Sequence, residues 1–142
     1  MAKNKLIIEY DYDFDLYGII STTRDYKLAW LINHKLDLHL VKAEDIKISF
    51  LNDEELVISN YLYKTEYAQL RLLKNRSEEG SAEKMNYLLP ELNKFDYFIM
   101  KKGNIYGDDE SEWLNQMQQF KEIQFITRLD IKKLKSRENL IF

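Results

Sequence analysis

Four consecutive apolar residues, Tyr97 to Met100, follow closely on the chain's only proline, Pro90. A strand without a polar face has no side to offer to water, so this run predicts a central β-strand covered on both faces. The flanking sequence supplies the elements such a strand needs. Lys5–Tyr10 reads as a short strand, and Phe14–Thr22 as a second or as its continuation after a break at Asp11–Asp13, with Gly18 marking a bulge or a close approach. The period then changes: Leu28, Leu31, Ile32 and Leu36 recur at helical spacing, and Thr22 and Asp25 stand in a capping-box relation. A first helix is expected from about Arg24 to Lys35, with Trp30 packed at the edge of its apolar stripe.

Alternation returns after that helix. Ile46, Ile48 and Phe50 predict a half-buried strand that turns at Asn52–Glu54 into Leu56–Tyr63, forming a hairpin. Ala68, Leu70 and Leu72 mark a further strand, and Lys74–Ser81 reads as a mobile polar loop. Met85–Leu89 fits a short extended piece, and Ala82–Tyr87 fits the start of a helix equally well. A second helix is expected to open near Asp108, with Asp109, Glu110 and Glu112 at its positive end and Trp113, Leu114, Met117 and Phe120 on one face. Ile123–Thr127 is the last predicted strand. Strand, helix and strand in that order make a right-handed parallel βαβ unit over Tyr97–Thr127 the expected connection. The fold class is therefore α+β: one mixed, mainly antiparallel sheet of about five to seven strands with two main helices, lying on one face or on both.

At 142 residues, 45% of them apolar and 32% charged, the chain is long enough for one core and is read as a single globular domain spanning 1–142. A net charge of −3 offers no long-range attraction to a polyanion, so neither nucleic acid nor an anionic membrane is an expected partner. The absence of cysteine removes disulfides, thiolate nucleophiles and thiolate metal sites together. No uninterrupted apolar stretch precedes the first carboxylates, and the expected location is cytoplasmic.

The segment around the proline has a composed look. Pro90 suits the first position of a helical turn, and Glu91 complements its dipole. Leu92 and Phe95 would share a face. Asp96 stands where the turn meets the strand, ready to accept backbone N–H bonds, and Tyr97 begins the buried run. On this reading the residues form a corner. The alternative sets Glu91, Asp96 and Tyr97 around a cleft, where two carboxylates in different surroundings would divide acid and base roles. Leu89, Pro90, Glu91, Phe95, Asp96 and Tyr97 give the chain a motif that resembles the signature of an uncharacterised bacterial family, Ile-Pro-Glu, three variable residues, then Val-Asp-Tyr. Leucine and phenylalanine stand here for isoleucine and valine. The resemblance implies a shared fold and carries over no activity, cofactor or catalytic residue.

Other clusters are weaker. Glu9, Asp11, Asp13 and Asp15 alternate with aromatic residues, and a solvated strand face explains them; Asp11, Asp13 and Asp15 are the candidates for an irregular cation site, since their spacing lacks the glycine and glutamate of a helix-loop-helix calcium loop. His34 and His39 are five apart and lack partners for zinc; His34 is placed near the C-terminus of a helix. No glycine-rich phosphate loop or serine nucleophile motif occurs. The basic stretch Arg128–Arg137 reads as a solvated amphipathic turn. Leu140, Ile141 and Phe142 are apolar and should dock, either on this domain or on a partner. With no catalytic residue and no cofactor indicated, the expectation is a small non-catalytic protein acting through a protein partner or self-association. The competing expectation is a small-molecule-binding domain or an enzyme with a tyrosine- and carboxylate-lined pocket.

Overall fold

Residues 97–102 form a strand buried at its first four positions, and the rest of the chain is arranged around it. The computed structural model describes residues 12–50, 54–78, 86–103 and 110–142. In chain order these give β1 (Asp15–Ile20), α1 (Asp25–Leu36), β2 (Val41–Lys42), β3 (Ile46–Ser49), β4 (Glu55–Ile58), β5 (Asn60–Lys64) and β6 (Gln69–Lys74). A 3-10 turn at Pro90–Leu92 leads into β7 (Tyr97–Lys102), followed by α2 (Glu110–Gln118), β8 (Phe125–Leu129) and 3-10 turns at Ile131–Lys133 and Arg137–Leu140.

Six strands form one sheet in the order β2-β5-β6-β7-β1-β8, and β3 with β4 forms a separate hairpin. Each hydrogen-bonded neighbour pair is antiparallel. Because β1 runs antiparallel to both β7 and β8, those two strands are parallel to each other. The C-terminal β-α-β unit is therefore split, with β1 seated between its strands. The α+β class read from the sequence holds, with two helices among the described residues.

Successive side chains of a strand alternate between faces, and here each face has its own core. Tyr17, Ile19, Leu70, Leu72, Tyr97 and Ile99 meet Leu28, Ile32 and Leu36 of α1 and Trp113 and Met117 of α2. Both helices thus lie on one face. Leu16, Leu73, Phe98 and Met100 point the other way, against Ile46, Leu56 and Ile58 of the hairpin and against Leu88, Leu89, Phe95, Leu134 and Leu140. The result is three layers. Burial of one large side chain such as Phe98 contributes about 1.5–3 kcal/mol, and β7 supplies such side chains to both cores.

Three expectations are corrected. Helix α1 is preceded by Arg24 in extended conformation with no side-chain cap, so the Thr22 and Asp25 capping box does not form. Asp25 instead opens the helix and accepts a hydrogen bond from the Ser59 hydroxyl at 2.6 Å. Trp30 does not pack at the edge of the core: it is 60% exposed. The polar stretch after β6 is not a loose loop where it is described, because Asn75 and Ser77 are buried. Ser77 ties it to β4, its hydroxyl accepting from the Val57 N–H at 2.9 Å. The strand expected at Lys5–Tyr10 lies outside the described residues, as do Asp108 and Asp109 and, of the expected turn, Asn52 and Asp53.

Candidate functional site

The residues from Pro90 to Tyr97 are brought together as a corner, and each side chain reaches a different partner. Pro90 occupies the start of the 3-10 turn. Glu91 is exposed, and its Oε2 accepts from the Ser136 N–H at 2.7 Å, tying the turn to the C-terminal segment. Partial burial alone would raise the Glu91 carboxyl, but hydrogen bonds from backbone amides, that of Ser136 among them, bring it below its ordinary range. The Asp96 Oδ2 accepts from the Ser21 N–H at 2.8 Å, and the Tyr97 hydroxyl donates to the Thr23 carbonyl at 2.5 Å. These two bonds fix the chain between β1 and α1.

The corner is organised by a residue outside the motif. Asn75 is fully buried, and its side-chain amide donates to the carbonyls of Leu92 and Phe95 at 3.0 and 2.9 Å while its oxygen accepts from the Leu89 N–H at 2.9 Å. Its backbone N–H donates to the Asp96 carbonyl, and its carbonyl accepts from the Leu88 N–H. One side chain thereby satisfies three backbone groups of a short non-regular segment. Phe95 lies over Gly18: a Cβ at that glycine would come within 2.7 Å of the Phe95 ring. Gly18 marks a close approach, and the strand can carry the aromatic ring there because that position has no side chain. A groove of about 750 Å³ is lined by Phe50, Leu56, Tyr87 and Pro90 with Ser136 and Glu138, but Glu91, Asp96 and Tyr97 do not line it.

Of the alternating carboxylates, Asp11 lies outside the described residues. Asp13 pairs with Lys102 at 2.9 Å, and Asp15 with Arg128 at 2.7 Å and Lys101 at 3.8 Å. Among the described residues no group of three His, Asp or Glu side chains could hold a metal ion. Arg128 also contacts Glu110, whose Oε2 accepts from the buried Tyr17 hydroxyl at 2.7 Å. Burial first, then the bond to Glu110 and its charge, push the Tyr17 phenol above its ordinary range. Glu110 moves the opposite way, held below the usual carboxylate range by the Tyr17 hydroxyl and by Arg128.

A carboxylate whose folded-state pKa lies below its unfolded value stabilises the fold above that unfolded value. The contribution is lost as pH falls through the folded-state pKa. Glu110→Gln is therefore expected to destabilise the protein at neutral pH and to match the wild type at pH below both values, flattening the acid limb. Thermal unfolding followed from neutral to strongly acidic pH checks this; parallel wild-type and variant curves would contradict it.

Leu140 is buried in the second core, whereas Ile141 and Phe142 remain partly exposed. The Phe142 ring lies 5.3 Å from the Arg71 guanidinium carbon, beside a shallow groove of about 290 Å³ that also includes Asp13, Phe14 and Met100. His34 lies in the last turn of α1, and His39 is exposed beyond it.

Two arrangements escape sequence reasoning. The Ser59 hydroxyl, buried where β4 gives way to β5, donates to Asp25 and accepts from the Lys42 ammonium at 3.0 Å, and Lys42 also pairs with Asp45 at 2.7 Å. Ser59 is 2% exposed, so the hydroxyl works as a clasp between α1 and β2 and has no access for a substrate. The second arrangement is on the surface. Tyr26 and Trp30, one turn apart on α1, are 62% and 60% exposed, and the Trp30 ring is stacked flat on His34 with centroids 5.1 Å apart. Next in sequence, Leu31, Lys35 and Leu36 line a groove of about 490 Å³ with Gln116 of α2 and with Gln119, Phe120, Lys121 and Glu122 of the segment that follows it. The only signal in the sequence was that Trp30 falls off the apolar stripe of its helix.

Among the described residues, no helix is long and apolar enough to cross a membrane. Comparison with protein-family models gives no match, and comparison with curated proteins gives none either.

Proposed function

We propose that the protein is a small non-catalytic cytoplasmic module that acts by contact with another protein, and that the outward face of α1 is its contact surface. The observation that carries this is Trp30: a tryptophan held 60% exposed and flat against His34, on a helix whose own packing needs are met by Leu28, Ile32 and Leu36. Tryptophan and tyrosine are enriched at interface centres, where a large rigid ring gains contact area at little entropic cost. Tyr26 one turn earlier extends the same surface. The resemblance of the Pro90–Tyr97 corner to the bacterial family motif fits this reading as a likeness of architecture. The competing reading, a tyrosine- and carboxylate-lined ligand pocket, has less to rest on, since Glu91 and Asp96 each accept from a backbone N–H and line no common groove with Tyr97.

Trp30→Glu tests the proposal. The variant is expected to keep the wild-type unfolding midpoint, because an exposed site contributes little to folding. It is also expected to lose a partner that the wild-type chain retains in cross-linking and mass spectrometry from native lysate. Identical sets of cross-linked proteins for the two chains would refute it.

A further inference from the structure

The partner's chemistry can be read from the charge and shape of that surface, and the inference rests on the interaction reading above. Around α1, Asp25 and Asn33 apart, the residues away from its buried stripe are Tyr26, Lys27, Trp30, Leu31, His34 and Lys35, and the Asn33 amide is bonded to the Leu40 backbone. At 3.6 residues per turn they cover one contiguous half of the helix. That half carries two lysines and a histidine and no carboxylate, in a chain whose acids outnumber its bases by 24 to 21. Asp25, the one acidic residue of α1, is turned to the Ser59 hydroxyl. The groove that Leu31 shares with the end of α2 is lined by the apolar Leu31, Leu36 and Phe120, by Gln116 and Gln119, and by two lysines, Lys35 and Lys121, against a single carboxylate, Glu122.

We infer that this face takes an acidic amphipathic helix from a different protein, its apolar side on Trp30, Leu31 and Phe120 and its carboxylates against Lys27, Lys35 and Lys121. An amphipathic helix is the segment that lays a stripe of apolar side chains into such a groove. Complementary charge then sets the choice of partner and its register. A second copy of this chain is disfavoured as the occupant, because the face would meet its own lysines. Single-stranded nucleic acid is disfavoured too, since the net charge of −3 opposes a polyanion.

The experiment is a selection of displayed random 16-residue peptides on the full chain, with counter-selection on the Trp30→Glu variant. The peptide that emerges is then titrated by tryptophan emission. The expected result is peptides with apolar residues at helical spacing and an excess of aspartate and glutamate. Binding should weaken by about tenfold or more in a variant carrying Lys27→Glu, Lys35→Glu and Lys121→Glu, and should also weaken with added salt. Circular dichroism of that variant verifies that it is folded. Selected peptides without an acidic excess, or binding indifferent to the three charge reversals, would overturn the acidic chemistry while leaving the Trp30 surface in place as an interface. Preferential binding of polyuridylate, Trp30-dependent dimerisation in ultracentrifugation, or the absence of any peptide that distinguishes the two chains would overturn the inference altogether.

Discussion

Asn75→Ala is expected to lower the stability of the protein by about 3–5 kcal/mol, since each buried backbone group left without a partner costs about 1–3 kcal/mol. Three such groups are involved: the Leu89 N–H and the carbonyls of Leu92 and Phe95. The Leu92 carbonyl keeps a second bond from the Phe95 N–H, which holds the sum below three full penalties. Asn75→Asp should be at least as damaging. It keeps an acceptor for Leu89 but sets a carboxylate against two carbonyl oxygens. Denaturant unfolding measures both variants, and a loss under about 1 kcal/mol for alanine would mean that water replaces the side chain and that the corner is held by something else. Against a total stability of about 5–15 kcal/mol for a domain, the expected loss is large enough to leave a substantial unfolded fraction.

Phe95→Ala is expected to cost about 3–5 kcal/mol, as for other buried aromatic truncations. The more telling measurement is its coupling to Gly18. In the wild-type chain Gly18→Ala drives a methyl group into the Phe95 ring, at 2.7 Å from the nearest carbon, and should cost about 1–3 kcal/mol. With Phe95 already alanine the same methyl enters open space, and replacing a strand glycine then stabilises by about 0.5–1 kcal/mol. The effect of one substitution should thus reverse sign with the other, and a double-mutant cycle reads it directly. Additive effects would show that the ring and the strand are not in the contact described. Gly18 pairs with Phe98 on one side and Thr127 on the other, so a displaced ring disturbs the centre of the sheet.

The sequence made some of this legible for local reasons. Leu28, Ile32 and Leu36 declare α1 because helix period is a property of neighbours, and Tyr97–Met100 declares a strand covered twice because four apolar side chains cannot all face one way. Pro90, Glu91 and Asp96 suggested a corner through backbone preferences that act within a few residues. Asn75 gave no such signal. It lies in a polar stretch whose composition is that of a surface turn, and its role depends on backbone groups 14 to 20 residues away. The Asp25, Ser59 and Lys42 clasp is hidden for the same reason, the serine lying 34 positions after the aspartate. Trp30 was visible as a residue off its stripe, but whether such a residue packs or stands free depends on what the tertiary fold places above it. Strand order was not legible either, because antiparallel pairing of β1 with β7 and β8 leaves no mark on the pattern of any one strand.

The placement of β1 governs when this chain can become stable as it leaves the ribosome. The strand emerges ahead of its two neighbours in the sheet, β7 and β8, so it stays without a native partner until those have been translated. Loop closure over such separations makes acquisition of the native state slow, and the unpaired apolar strand is exposed to association in the interval. Nascent chains arrested before Phe125 should therefore depend on chaperone holding in a way that released chains do not.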